Sequence, residues 1–171
     1  MENKIESKRL YFLPFSSSDL DDLVTLYENP KVCEFLPGEA PFTMERITKT
    51  LDYFIRTHSL QNKQAIYRVI TKDTIEFIGL CGLQNVKEFN QTEVFYSFLP
   101  KYWGEGYATE CSMKMIELAE ELAIPLLIAL ADTRNIASNK VLQKCGFQEN
   151  GQVDLWGLHL NFYQLSLERT L

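Results

Sequence analysis

The chain has 171 residues, of which 46% are hydrophobic and 23% charged, and a chain of this kind can bury a core as one globular domain over residues 1–171. Its formal net charge of −6 argues against a nucleic-acid-binding surface, which usually shows as a basic excess. No stretch approaches the ~20 consecutive apolar residues of a membrane span. The polar start is not a signal peptide, so we expect a cytoplasmic protein.

The cysteines and histidines form no metal-binding or nucleophilic pattern. There is no C-x-x-C pair, and neither His58 nor His159 lies at metal-ligand spacing from a cysteine. No metal is therefore expected. Each cysteine lies in or beside an apolar run, which favours buried packing. The cysteines are Cys33, Cys81, Cys111 and Cys145.

The first part of the chain predicts a short strand and two helices. Residues 10–13 are typical of a strand that Pro14 stops. The polar residues 16–19 can cap a helix over residues 20–27, which ends near Pro30. Thr43 can cap a second helix, because apolar residues recur at helical spacing after it.

Three runs rich in β-branched and aromatic residues follow, at residues 65–71, 76–86 and 92–99. Polar turns separate them. Because the connections are short, the three runs predict an antiparallel meander.

The rest of the chain alternates between helices and strands. Residues 106–122 have the spacing of an amphipathic helix, and the unbroken apolar run 126–131 indicates a buried parallel strand. A helix over 136–144 and two strands, 148–155 and 158–167, complete the chain. This order predicts an α+β fold: a mixed, mostly antiparallel sheet of seven strands flanked by about four helices.

A glycine-containing loop, PKYWGEGYATE, lies between the third strand of the meander and the amphipathic helix. The first N–H groups of a helix have no intrahelical partner and carry the positive end of the helix dipole. Gly104 and Gly106 would let a ligand approach that backbone, and a diphosphate fits such a place. By itself the pattern is more typical of a tight strand-to-helix turn than of a binding site.

Two nucleotide-binding motifs are absent. A Walker A loop needs Gly-Lys-Ser or Gly-Lys-Thr after its spacer, and the chain has neither. A dinucleotide fingerprint needs a third glycine or alanine where Thr109 stands, inside a parallel strand–helix–strand unit. A nucleotide-binding protein is therefore a disfavoured alternative.

A second segment, ADTRNIASNKVLQKCGF, spans residues 131–147. Together with the glycine loop it resembles the GNAT acetyltransferases, specifically the RimJ/RimL-type branch named for ribosomal-protein acetylation. In that branch a Tyr-Trp-Gly-x-Gly-Tyr-Ala-Thr-Glu loop precedes Asn-x-x-Ser and Lys-x-Gly-Phe. The resemblance extends over nearly the whole chain. It implies the GNAT fold, with a splay between the fourth and fifth predicted strands.

The resemblance also implies acetyl-CoA as co-substrate, with its pantetheine arm in the splay and its pyrophosphate on the backbone of the glycine loop. Main-chain groups near Phe98 and Leu99 would pair with the arm, and an N–H near Leu99 would stabilise the tetrahedral intermediate. The residues expected to contact acetyl-CoA are Phe98, Leu99, Lys101, Trp103, Gly104, Glu105, Gly106, Tyr107, Ala108, Thr109, Asn135 and Lys140.

Two residues are candidates for proton transfer. Glu93, on the strand beside the splay, is the candidate base, although a solvent-facing strand glutamate is equally compatible with its position. Ser138 is the candidate acid, since Leu142 stands where many GNAT enzymes have a tyrosine. Ser138 could instead be a cofactor ligand or a small residue of a first helical turn. Three other acids remain open as bases: Glu34, Glu39 and Asp154.

The resemblance implies direct transfer of acetyl from acetyl-CoA to a primary amine, with both substrates bound together. The acceptor would be a protein N-terminus or a small-molecule amine, and the protein a monomer or homodimer without nucleic-acid or membrane partners. Phe95 stands where the branch often has glycine, so we expect it to narrow the acceptor cleft. The alternative is a non-catalytic acyl-CoA-binding sensor.

Overall fold

A computed structural model describes residues 4–168. Within them a single sheet contains eight strands. The strands are β1 (Ile5–Glu6), β2 (Leu10–Pro14), β3 (Ala65–Thr71), β4 (Phe77–Val86), β5 (Gln91–Phe98), β6 (Leu126–Asp132), β7 (Gln148–Leu155) and β8 (Leu158–Ser166). The α-helices are α1 (Leu20–Tyr27), α2 (Pro30–Cys33), α3 (Met44–Thr57), α4 (Tyr107–Glu121) and α5 (Ile136–Lys144). The predicted α+β class is confirmed.

The predicted counts of seven strands and about four helices are wrong for this part of the chain, which has eight strands and five helices. The extra strand, β1, has two residues and shows no alternation that a sequence pattern could detect. The extra helix, α2, begins at Pro30, where the sequence predicted only an end of helix. Pro30 occupies the first turn, and the Asn29 side chain accepts a hydrogen bond from Lys31 N. Proline suits this position because its missing N–H has no partner there.

The sheet has the order β1-β2-β3-β4-β5-β6-β8-β7. β2 to β5 are antiparallel neighbours, which includes the predicted meander. β5 and β6 are parallel, and their register pairs only Thr92 with Leu127 and Glu93 with Ile128. Both strands continue beyond these pairs, to Phe98 and Asp132. They therefore diverge, and the gap between them is the splay that the resemblance implied.

The sheet separates two hydrophobic layers. One layer packs α4 and α5 against the sheet and includes Met115 and Leu142. The other packs α1 to α3 against the opposite face and includes Leu23 and Phe54. Successive side chains of a strand point to opposite faces. β5 accordingly contributes Val94, Tyr96 and Phe98 to the first layer and Phe95 to the second, with Glu93 on the same side as Phe95.

Candidate active site

A cleft of about 840 Å³ occupies the splay. Its walls come from β5 and β6, the glycine loop, the start of α5 and the α1–α3 layer. Most residues singled out in the sequence line it: Glu93, Phe98, Trp103, Gly104, Gly106, Tyr107, Ala108, Thr109, Asn135 and Ser138. Four do not line it: Leu99, Lys101, Glu105 and Lys140.

The glycine loop presents an open backbone at the start of α4. Gly104 and Gly106 have φ angles of 77° and 81°, a conformation that favours glycine. Gly106 is the N-cap of α4 and caps it without a side chain. The first helical hydrogen bond is Glu110 N to Gly106 O, so the N–H groups before it have no intrahelical partner. A Cβ placed on Gly104 would meet nothing within 4 Å. An open helix start of this kind is compatible with a diphosphate, and binding of a diphosphate here stays a prediction.

Arg9, which directly precedes β2, holds this loop in place. Its guanidinium donates to Glu105 O at 2.9 Å and to Glu110 Oε2 at 2.7 Å, and it lies 4.2 Å from the centre of the Tyr107 ring. Burial would raise the pKa of Glu110, but hydrogen bonds from Ser7 Oγ and from Arg9, with the Arg9 charge, hold that pKa below its ordinary value. These contacts could not be predicted from the sequence, because Arg9 and Glu110 lie 101 residues apart.

The main-chain N–H of Leu99, which was expected to face the cofactor, is already hydrogen-bonded within the sheet. The N–H of Leu99 donates to Ile78 O of β4 at 2.9 Å, and the Trp103 indole donates to Phe98 O at 2.7 Å. Main-chain groups alternate along a strand. Because Leu99 turns towards β4, Tyr96 and Phe98 turn their N–H groups towards β6 and the splay. These two N–H groups, rather than that of Leu99, face the cleft.

The predicted charged contacts lie at the margin. Lys101 Nζ is 3.7 Å from Glu76 Oε1, and its side chain is 71% exposed. Lys140 is exposed on α5. Glu105 offers its carbonyl to Arg9. Contacts of these residues with a cofactor stay predictions.

Glu93 is buried, with 6% of its surface exposed, so the interpretation as a solvent-facing glutamate is wrong. Gln84 Nε2 donates to its Oε2 at 3.0 Å, and the Tyr53 hydroxyl is 3.4 Å from Gln84 Oε1. Burial raises the pKa of Glu93 to about 7, although the hydrogen bond from Gln84 lowers it in part. A carboxylate of this pKa in a cleft can accept a proton near neutral pH.

The other carboxylates left open by the sequence are less well placed. Glu34, Glu39 and Asp154 are exposed, and none of them lines the cleft. Asp154 pairs with His159 at 2.6 Å on the β7–β8 hairpin. The geometry thus favours Glu93 among the candidates.

Ser138 and Tyr96 form a hydroxyl pair on the α4–α5 side of β5, opposite to the side on which Glu93 lies. Their oxygens are 2.9 Å apart, and Leu142 lines the cleft beside them. Burial raises the pKa of Tyr96, although the hydrogen bond with Ser138 lowers it in part, so the phenol keeps its proton at neutral pH. Tyr96 could not be predicted from the sequence, because its partner Ser138 lies 42 residues away in the chain.

Asn139 holds the start of α5 in place. Its Nδ2 donates to Asp132 O at 3.0 Å and to Asn135 O at 2.8 Å. Its Oδ1 accepts from Asn161 Nδ2 at 2.8 Å and from the Tyr163 hydroxyl at 2.7 Å. The buried amide therefore ties α5 to β6 and β8 and positions Ser138.

In the described residues 4–168, the cleft has neither a cluster of metal ligands nor an accessible thiol. Among residues 4–168, no group of three or more His, Cys, Asp or Glu is placed to hold a metal ion. All four cysteines are free and buried, which confirms the prediction of buried packing. In the same part of the chain, no helix is long and apolar enough to cross a membrane.

Comparison with known proteins agrees with this arrangement. Residues 9–148 match the family model described as "Acetyltransferase (GNAT) domain". A relative from Bacillus licheniformis, named "Uncharacterized N-acetyltransferase p20", is 27% identical over 147 residues, which cover 85% of this chain and 82% of the relative.

Solved structures share the fold. The GNAT-family acetyltransferase from Bacillus anthracis superposes with a TM-score of 0.81 at 20% identity, over 96% of this chain and 98% of that one. RimL, a ribosomal L7/L12 α-N-protein acetyltransferase solved with coenzyme A, superposes with a TM-score of 0.77 at 19% identity, over 96% and 98%. These neighbours are consistent with the RimJ/RimL-type branch and with the predicted use of acetyl-CoA.

The family model covers most of the chain, and its residues include β5, β6, the glycine loop, α5 and the α1–α3 layer, which form most of the cleft. The predictions of family and of enzyme class are confirmed. The chain is an acyltransferase that belongs to the GNAT acetyltransferases.

Proposed function

We propose that the chain transfers an acetyl group from acetyl-CoA to a primary amine by direct attack, with both substrates bound in the cleft. The observation that carries this proposal is the placement of two proton-transfer groups on opposite faces of β5 at the splay. Glu93 lies on the α1–α3 side, and the Tyr96–Ser138 pair lies on the α4–α5 side.

The α4–α5 side is suited to the cofactor. The open backbone of residues 104–109 would bind the pyrophosphate at the start of α4. The N–H groups of Tyr96 and Phe98, turned towards β6, would bind along the pantetheine arm. Asn135, whose Oδ1 caps α5, would contact the arm through its remaining amide group.

The α1–α3 side is suited to the acceptor. An amine attacks a thioester only when it is neutral, so its proton must be removed. Glu93 Oε2 accepts from Gln84, and no residue in 4–168 donates to Oε1. Oε1 would take this proton and release it to water, and as the neutral nitrogen then bonds to the carbonyl carbon, Oε1 would take the next N–H proton.

Departure of the thiolate completes the reaction. A main-chain N–H of Tyr96 or Phe98 would stabilise the charge on the carbonyl oxygen. As the carbon–sulfur bond breaks, the Tyr96–Ser138 pair would protonate the thiolate. A thiol pKa near ~8.5, by analogy with cysteine, makes the thiolate a good leaving group. The acid therefore helps without being essential.

Several finer features belong to this proposal. The acceptor is a protein N-terminus or a small-molecule amine, and the protein is a cytoplasmic monomer or homodimer with one catalytic domain over residues 1–171. The solved RimL structure is named for acetylation of a protein N-terminus, which supports the first acceptor class. A sensor without catalysis has no use for a buried carboxylate facing the cleft.

A ligand screen by thermal unfolding tests the cofactor. A ligand that binds only the folded state raises its midpoint, so acetyl-CoA at about 100 times its Kd should stabilise the protein by ~2.7 kcal/mol. NAD and ATP at the same concentration serve as controls and should leave the midpoint unchanged. No shift with acetyl-CoA, or an equal shift with NAD, would contradict the proposal.

A further inference from the structure

The acceptor side of the cleft is mainly apolar and aromatic. α1, α2, α3 and the segments that join them contribute most of its wall. The side chains that line it include Tyr27, Val32, Phe35, Leu36, Phe42 and Tyr53. Aromatic rings bury large apolar areas and prefer aromatic partners. This wall therefore favours an apolar body in the acceptor.

The floor of this side places an aromatic ring next to the base. Phe95 lies two residues from Glu93, so the two side chains share a face of β5. The Phe95 ring packs over Gly82, where an added Cβ would come within 3.0 Å of two ring atoms. An amine that reaches Glu93 therefore has its attached group against Phe95.

The charges that line the cleft disfavour a second cation in the acceptor. Lys31, Arg46 and Arg134 line it, whereas Glu93 and Asp132 are its only carboxylates among the described residues. Asp132 is already paired with Arg134 at 2.9 Å. A polyamine would bring its second ammonium group beside these cations without a free carboxylate to bind it.

A peptide is also poorly matched to this wall. Peptide N–H and C=O groups that leave water need hydrogen-bond partners, and the wall offers mainly rings and aliphatic side chains. A flat ring with a short amine-bearing arm needs few such partners. It would gain from burial against the aromatic side chains.

We propose that the acceptor is a small monoamine with an apolar, aromatic body. This inference rests on the proposed function and narrows its acceptor to one class. Phe35 is the residue best placed to test it. It is half-buried on the cleft wall, and the Arg134 guanidinium lies 5.4 Å from its ring centre.

An acceptor panel tests the inference. Release of coenzyme A from acetyl-CoA is measured with 2-phenylethylamine, putrescine and a tetrapeptide with N-terminal alanine. We expect kcat/KM for 2-phenylethylamine to exceed the other two values by about 10²-fold, the usual discrimination of an apolar pocket. Equal or faster transfer to putrescine or the peptide overturns this inference and leaves the proposed function standing. Release with none of the three counts against the proposed function, and the inference fails with it.

Substitutions at the cleft wall provide a second readout. Phe35→Ala should lower kcat/KM for 2-phenylethylamine about tenfold, without changing the thermal shift with acetyl-CoA. Phe35→Leu, which keeps an apolar side chain, should recover most of the loss. Phe89→Ala is the matched control, since Phe89 packs on Phe162 outside the cleft. If Phe35→Ala and Phe89→Ala behave alike, the wall does not select the acceptor.

Discussion

Glu93 combines a position that the sequence predicts with an environment that the sequence does not show. Its place in the strand beside the splay follows from the order of motifs. Its burial follows from the α1–α3 layer, which lies over one face of β5, and its hydrogen bond comes from the neighbouring strand. Neither contact is encoded near residue 93. The shifted pKa is therefore a product of the fold.

The pH dependence of Glu93→Gln is our first prediction at the residue scale. The pKa of Glu93 is raised to about 7, so Glu93 is protonated below that pH and cannot accept a proton. kcat/KM of the parent should therefore rise as the pH rises through 7. Glu93→Gln should lower kcat/KM by about 10²- to 10⁴-fold at neutral pH. The loss should shrink at higher pH, as more amine arrives deprotonated.

The measurement is kcat/KM of both proteins between about pH 6 and pH 10, a range that brackets the ordinary amine pKa values. Glu149→Gln, an exposed carboxylate on β7, is the matched control and should keep the parent profile. A Glu93→Gln enzyme with the parent profile would remove Glu93 from the mechanism.

The hydroxyl pair leads to a second prediction. Ser138→Ala and Tyr96→Phe each remove one member of a 2.9 Å contact. Each should lower kcat by less than Glu93→Gln does, because the thiolate can leave with help from water. The thermal shift with acetyl-CoA should stay unchanged. If Ser138→Ala instead loses affinity for acetyl-CoA, Ser138 is a binding residue and Tyr96 alone is the candidate acid.

At the scale of elements, sequence patterns predicted long elements better than short ones. The amphipathic helix α4, the apolar strand β6 and the helix α5 lie where the sequence patterns predicted them. β1 and α2 were missed, because two and four residues carry no detectable period. The contacts of Arg9 with the glycine loop were missed for a different reason, since they join two segments that are distant in sequence.

The glycine loop carries the third prediction. Gly106→Val should greatly weaken acetyl-CoA binding, because a side chain at a φ of 81° strains the loop and covers the backbone that would face the pyrophosphate. The measurement is the Kd for acetyl-CoA by titration calorimetry.

Gly151→Val is the control that separates the effect of backbone strain from loss of the proposed phosphate-binding site. Gly151 has a φ of 89°, is exposed on β7 and has nothing within 4 Å of an added Cβ. It should suffer a similar backbone strain, on the order of 1–2 kcal/mol, and yet keep the parent Kd. If both variants bind acetyl-CoA as the parent does, the phosphates lie elsewhere.

At the scale of the whole molecule, the sheet separates the groups of the proposed reaction into two layers. The glycine loop and the hydroxyl pair belong to the α4–α5 side, whereas the candidate base Glu93 and the aromatic wall belong to the α1–α3 side. The resemblance implied the splay and its cofactor loop. The register of β5 assigns each side chain to one face of the sheet. A shift of that register by one residue would exchange the faces on which Glu93 and Tyr96 lie.

The cysteines offer no nucleophile for a covalent enzyme intermediate. All four cysteines are free and buried, and none lines the cleft among the described residues. In the proposed mechanism the two faces of the splay would instead bring amine and thioester together. Direct transfer is the central claim of that proposal.

Initial-rate kinetics with both substrates varied test this claim most directly. Coenzyme A release is measured across concentrations of acetyl-CoA and 2-phenylethylamine, and mass spectrometry follows both the amine and the protein. Direct transfer predicts intersecting double-reciprocal lines, an acetylated amine and no acetylated protein on the reaction pathway. Parallel lines together with an acetyl-protein that passes its acetyl group to the amine would contradict it.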